Sequence, residues 1–127
     1  MRANRNVSGA ERRFRRALWA VGARGFRRGS SLPGRPDVAF TAVRAAVFVH
    51  GCFWHRCETC SLPQPKANAE FWREKFERNA ERDHQATMAL SQAGWTVITI
   101  WEHELRSDMM AAARRVADHV SQQRQRT

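Results

Sequence analysis

The sequence predicts an α/β or α+β arrangement, a mixed central sheet flanked by helices, and three observations carry that expectation. Residues 45–49, Ala45-Ala46-Val47-Phe48-Val49, form an unbroken apolar run of strand length, as a buried strand requires. Residues 95–101, Trp95-Thr96-Val97-Ile98-Thr99-Ile100-Trp101, alternate and are rich in β-branched side chains, which favour extended backbone. Three further stretches repeat apolar residues at helical spacing, and the order of all these segments suits one layered sheet with helices packed on it.

The first helix is expected over about 9–22. Ser8-Gly9-Ala10-Glu11 has the capping-box pattern, Phe14, Ala17, Leu18 and Val21 follow on one face, and Gly22 or Gly25 ends it. Arg12, Arg13, Arg15 and Arg16 fall largely on the other face. Residues 24–28 suggest a short edge strand, and the turn-rich loop Ser30-Ser31-Leu32-Pro33-Gly34-Arg35-Pro36 delivers Asp37. A hairpin then joins 38–40 to 45–49 through a turn at 41–44. Pro63 and Pro65 keep the chain irregular up to Asn68, the expected N-cap of a long helix over 69–92. Its stripe of Trp72, Phe76, Ala80, Thr87 and Leu90 ends at Gly94, and Asp83 lies on the same side, midway between Phe76 and Leu90. A carboxylate pointing inward needs a partner or a metal. After the strand at 95–101, Ser107 or Asp108 is expected to cap a last helix carrying Met110, Ala113, Val116 and Val120.

A chain of 127 residues is expected to form one domain, with 1–7 as a short arm and 121–127 as a flexible tail. Lys and Arg together number 22 against 12 Asp and Glu, a formal charge of +10, and only Lys66 and Lys75 are lysines. Such a surplus favours a polyanionic partner, and arginine's planar fork suits phosphate or base recognition. A coding bias toward arginine and alanine explains the composition equally well. No apolar run approaches the ~20 residues a membrane helix needs, and Met1-Arg2-Ala3-Asn4-Arg5-Asn6 does not open a signal peptide, so a cytoplasmic protein is expected. An odd number of cysteines, three, argues for metal ligation over a disulfide framework.

The chemistry concentrates in Val47-Phe48-Val49-His50-Gly51-Cys52-Phe53-Trp54-His55-Arg56-Cys57-Glu58-Thr59-Cys60. Cys52, Cys57 and Cys60 offer three thiolates, and a closed zinc site needs one more ligand. The candidates are His50, His55, His84, His103 and His119; His103 is preferred because it stands just past the end of a central strand. Buried, inert cysteines and a redox CxxC are the weaker readings. His50 and His55 then remain outside the zinc shell, either as structural histidines or, with Asp37 at the same end of the sheet, as parts of a site for metal-assisted phosphodiester hydrolysis.

Leu32-Pro33-Gly34-Arg35-Pro36-Asp37, the stretch from Val47 through His55, Glu70-Phe71-Trp72, Asn79 with Glu81-Arg82-Asp83, and Gly94-Trp95 on to Trp101-Glu102-His103-Glu104-Leu105 occur in the order of a known family. This set, spread over roughly residues 8–106, resembles the very short patch repair (Vsr-type) DNA mismatch endonucleases. The resemblance implies a restriction-endonuclease-like core with a structural zinc. It also implies Mg²⁺-dependent nicking of one DNA strand on the 5′ side of the mispaired thymine in a T:G pair. It implies that Asp37 and a main-chain oxygen of Val49 bind Mg²⁺, that His55 activates the attacking water, and that His50 pairs with Asp83. Glu11 is either a metal-site residue or a helix cap, or both. Cys52, Cys57, Cys60 and His103 would hold zinc, with a cysteine standing for a histidine and a histidine for the last cysteine of the best-known pattern. Phe53, Trp54 and Trp72 would wedge into the DNA stack, although Trp72 also reads as core, and Arg35 with the first-helix arginines would hold phosphates.

The partner implied is double-stranded DNA containing a mismatch, bound by a monomer with no membrane, with mismatch-repair proteins as possible associates. Two departures are expected to matter. Only seven residues precede Ser8, where the family carries a longer minor-groove arm, and Val47-Phe48-Val49 lacks the acidic residue and lysine of many nucleases of this fold. A non-catalytic zinc DNA-binding module and a nicking nuclease with another target are the rival readings.

Overall fold

The computed structural model describes residues 5–126, with side chains from Gly9 onward. Six elements follow in the order α1 (Arg5–Ala20), β1 (Val38–Phe40), β2 (Ala45–His50), α2 (Ala69–Gln92), β3 (Thr96–Trp101) and α3 (Glu102–Arg126). The strands form a mixed sheet ordered β1-β2-β3. β1 and β2 are antiparallel, with Val38 opposite Val47. β2 and β3 are parallel, a pairing that needs a long crossover, and α2 lies within it.

Pairing on both edges makes β2 the central strand, and its side chains alternate between two faces. Ala45, Val47 and Val49 enter a core with Phe14 and Leu18 of α1, Val38 and Phe40 of β1, Ile100 of β3, and Val116 and Val120 of α3. Phe48 and His50, one residue out of phase, line a cleft instead. On the core side α1 packs against α3, with Ala10, Ala17, Ala112 and Ala113 buried among the larger side chains. α2 packs against β3. Among the described residues no helix is long and apolar enough to cross a membrane.

Several boundaries differ from expectation. α1 begins at Arg5, upstream of Ser8, so Ser8 is not its N-cap. Nothing in Arg5-Asn6-Val7 breaks a helix, and propagation adds residues more easily than nucleation starts them. Residues 5–7 of the expected arm are therefore helical, and 1–4 lie outside the described residues. The far end is as expected: Gly22 is left-handed at φ 90°, Gly22 N–H bonds Trp19 O at 3.1 Å and Ala23 N–H bonds Leu18 O at 2.9 Å. The segment 24–28 contributes one antiparallel bridge, Arg27 to Ala39, and no strand.

Asn68 precedes α2, but in a left-handed conformation and without a side-chain cap bond. The buried residues of α2 are Phe76, Ala86 and Leu90, while Ala80 and Thr87 are exposed. A helix this long meets the sheet over only part of its length, so the inward stripe is narrower than periodicity alone suggests. α3 starts directly after β3 and breaks at Asp108 (φ −160°, ψ 91°). There Asp108 Oδ1 accepts Ala111 N–H at 3.0 Å, so Asp108 caps the longer segment. Residues 121–126, expected as a flexible tail, continue that helix through Arg126.

Candidate active site

Strand register builds the first polar cluster. His50 pairs with Trp101 at the C-terminal ends of parallel strands, so the residues two further on, Cys52 and His103, emerge beside each other. His103 Nδ1 lies 3.3 Å from Cys52 Sγ and 3.5 Å from Cys57 Sγ and Cys60 Sγ. Donor atoms of these four residues all fall within 4.8 Å of one another. A tetrahedral shell with Zn–S and Zn–N lengths of ordinary size separates sulfur from nitrogen by about 3.6 Å, so the group has the dimensions of a closed metal shell. Backbone bonds from Cys57 N–H to Cys52 O (2.9 Å) and Ser61 N–H to Cys57 O (3.0 Å) fold the loop. Glu102 Oε1 accepts Cys52 N–H at 3.3 Å, tying the loop to the start of α3. Burial pushes the Cys52 thiol up to about 12, and a cation is what would hold three thiolates together in this space.

The second cluster occupies a cleft of about 500 Å³ between β2 and α2. Its floor depends on Gly34, left-handed at φ 73°, where a Cβ would stand 2.5 Å from Ala86 Cβ and 3.2 Å from the Phe48 ring. Only glycine allows the loop to lie that close to α2 while presenting Arg35 and Asp37 to the cleft. Asp37 Oδ2 accepts Val49 N–H at 2.6 Å. Burial, then the neighbouring Glu11 carboxyl, push Asp37 up to about 8. Glu11 comes from α1 and sits 3.6 Å from the Arg15 guanidinium. Two carboxyl groups this close favour a shared proton or a cation over two free charges.

Beside them His55 Nδ1 lies 2.5 Å from Asp83 Oδ2, and the His50 ring stacks on His55 at 3.8 Å between centroids, 4° from parallel. The partner expected for Asp83 was His50; in the structure Asp83 bonds His55. The reason is local: His55 sits one loop turn beyond the strand, where its ring swings toward α2, while His50 is held against the edge of Trp101 at 5.3 Å. Asp83 keeps the proton on His55 Nδ1 and leaves Nε2 available as a base. Burial, then the nearby His55, lower His50 to about 4, so it is neutral at physiological pH. His50, His55 and Asp83 are also close enough to form a metal-holding group.

Phe53, Trp54 and Trp72 meet at one end of the cleft, with ring centroids 5.1–5.7 Å apart, and Phe53 rests on buried Phe76 at 5.3 Å. All three are half-buried. Arg56 lies over Phe76 at 4.4 Å and bonds the carbonyls of Phe53 and Leu62, bracing the loop from below. The outermost ring is Phe71, 54% exposed and 5.3 Å from Trp72. Phe71, Asn79 and Arg82 stand in the sequence motifs without an assigned role and Lys75 in none of them; Lys75, Asn79 and Arg82 line the cleft. Their three-to-four-residue spacing with Asp83 and Ala86 was the available signal. Among the expected site residues, Glu11, Arg35, Asp37, Val49, His50, Trp54, His55 and Asp83 share this cleft, and Cys52, Cys57, Cys60 and His103 form the separate cluster.

The family described as DNA mismatch endonuclease Vsr matches residues 1–61. The type II nicking enzyme V.NaeI of Lentzea aerocolonigenes is 42% identical over 119 residues, covering 88% of this chain and 70% of that protein. The type II nicking enzyme V.XorIIP of Xanthomonas oryzae is 39% identical over 107 residues, or 84% and 77% of the two chains. The DNA mismatch endonuclease Vsr of Escherichia coli is 43% identical over 77 residues, 61% of this chain and 49% of that one. Identity at this level over most of both chains carries an inference of common descent, and the chain belongs to the Vsr family of DNA strand-nicking endonucleases.

Proposed function

We propose that this protein, acting as a single domain with a restriction-endonuclease-like core, nicks one strand of duplex DNA on the 5′ side of the mispaired thymine in a T:G mismatch. The observation that carries the reading is the hydrogen-bonded His55–Asp83 pair in the same cleft as Asp37 and Glu11. Asp37, Glu11 and a main-chain oxygen of Val49 suit a hard cation such as Mg²⁺, which when bound would offset the negative charge of the phosphate. His55 Nε2 takes a proton from the attacking water, and Asp83 holds the ring in the tautomer that permits this. His50, neutral and stacked on His55, keeps that ring in place. Arg35, Lys75 and Arg82 line the cleft and counter phosphate charge. Cys52, Cys57, Cys60 and His103 suit zinc as a structural brace.

Phe53, Trp54 and Trp72 supply an aromatic edge able to enter the base stack, where unstacking costs least beside a weak T:G pair. The protein is expected to work as a monomer in the cytoplasm, at the chromosome when bound, and in company with mismatch-repair proteins. A second reading keeps the nicking chemistry with a different mismatch or context, because several relatives are named only as type II nicking enzymes. A panel of matched and singly mismatched duplexes, incubated with protein and Mg²⁺, distinguishes the two. Nicking concentrated on T:G, 5′ to the thymine, supports the first; nicking of another mismatch or of matched duplex replaces it with the second.

A further inference from the structure

Positive charge is distributed very unevenly along this chain. Between residues 12 and 57 there are ten arginines and one acid, Asp37, so this third of the sequence holds almost all of the formal +10. Of these ten arginines only Arg15, paired with Glu11, has a carboxylate within ion-pair distance among the described residues. Ion pairs are more frequent among the eight arginines of α2 and α3, where Arg73, Arg106 and Arg115 have a glutamate partner. The other nine arginines of the first group carry charge that no carboxylate of the described residues offsets at ion-pair distance, and it is available to an external anion.

On α1 these charges surround an exposed aromatic. Glu11, Arg15 and Trp19 follow one another at four-residue spacing and form one ridge, and Arg12 and Arg16 form the next ridge outward. Glu11 is in the cleft, so the ridge leads out of the active site along the helix. Trp19 is 58% exposed, unlike the other large side chains of α1, Phe14 and Leu18, which are fully buried. The Arg24 guanidinium carbon lies over the indole, 3.7 Å from its centroid, and the guanidinium donates to the Trp19 carbonyl. It is thus oriented by two contacts, with N–H groups left over for an acceptor. A stacked, oriented guanidinium is a better phosphate ligand than a mobile one, because less rotamer freedom is lost on binding.

We propose that Arg12, Arg16, Trp19 and Arg24 form a second DNA-contact surface, which grips the sugar–phosphate backbone of the duplex flanking the cleft. Trp19 lies eight residues along α1 from Glu11, about 12 Å at the rise of an α-helix, which corresponds to about three to four base pairs of B-form DNA. The proposal takes from the endonuclease reading only that the cleft holds the DNA to be cut.

Binding resolves it independently of cutting. Fluorescence anisotropy without Mg²⁺ would compare the full chain with Arg12→Gln/Arg16→Gln and with Trp19→Ala, on T:G duplexes whose flanks are shortened one side at a time from about ten to about two base pairs. Wild-type affinity is expected to drop when one particular flank falls below about four base pairs, and the two variants should lose much of that flank-dependent gain. The slope of log affinity against log salt should become shallower by about 2 in the double variant. Thermal melts show that each variant is folded, and Trp19→Ala, which removes no charge, separates a specific contact from bulk electrostatics. Unchanged affinity, salt slope and flank dependence in both variants would overturn the proposal and leave this face to some other acidic partner. Should no duplex be nicked with Mg²⁺ while the variants still lose flank-dependent affinity, the nicking reading fails and the second surface stands.

Discussion

Two polar clusters grow from the same eleven residues, 50–60, and they differ in nearly every physical respect. The Cys52, Cys57, Cys60 and His103 group is compact, built of soft donors, and closed, with Cys52 and Cys57 buried. The Asp37, Glu11, His50, His55 and Asp83 group is built of oxygen and imidazole donors and opens onto a cleft of about 500 Å³. A closed soft shell leaves no position for substrate, whereas an open hard one does. Position relative to the sheet separates them. Residues two beyond the paired strand ends converge on each other, while His50 and His55 turn toward α2 and the loop that carries Asp37. The contrast teaches that one short loop can present two unlike donor sets when its side chains leave it on different sides.

If the clusters divide the work in this way, substitutions should fall into two classes. Asp37→Ala and His55→Ala are expected to reduce single-turnover nicking by about 10²- to 10⁴-fold while the melting temperature holds or rises. A matching loss of stability would erase the distinction. Cys60→Ala, or removal of metal by a chelator, should act the other way round, lowering the melting temperature by roughly 10 °C or more and abolishing activity only as a consequence. Calorimetry of metal-loaded and stripped protein measures this. Asp83→Asn should cost about 10- to 100-fold in rate, less than His55→Ala, because it disturbs an orienting partner and leaves the base in place. Equal losses would mean that Asp83 itself handles the proton or a cation.

The smallest effect concerns pH. Asp37 is raised from 3.8 to about 8, so without a divalent cation it contributes stability at acid pH that is progressively lost as pH climbs toward 8. Cation-free protein should therefore lose a few degrees of melting temperature over that interval, and Asp37→Asn should flatten the trend. Added Mg²⁺ should raise the melting temperature more at pH 8 than at pH 5, since only the ionised carboxylate attracts it. A stabilisation by Mg²⁺ that shrinks with rising pH would place the cation elsewhere.

Much of this is legible in the sequence. β2 and β3 announced themselves because a buried strand and a half-buried strand have distinct patterns, and His103 could be preferred as a ligand because it stands just past a strand end. Asp83 read as inward-facing from its place between Phe76 and Leu90. Its partner did not, since choosing between His50 and His55 requires ring directions that sequence spacing leaves open. The same limit hid the closeness of Glu11 to Asp37, which depends on how α1 lies across the sheet. At the termini, Ser8 offered a plausible cap that a longer helix bypassed, and the polar run at 121–126 gave no sign of the helix that continues through it.

The division of labour is tested most directly by titrating Mg²⁺ into protein that carries one zinc equivalent and following both the nicking of a T:G duplex and the melting temperature. Nicking should rise from background to a plateau with Mg²⁺ in the wild type and stay at background in Asp37→Ala, with both proteins folded throughout. Full nicking with zinc alone, or undiminished nicking by Asp37→Ala, would contradict the assignment of chemistry to the open cleft.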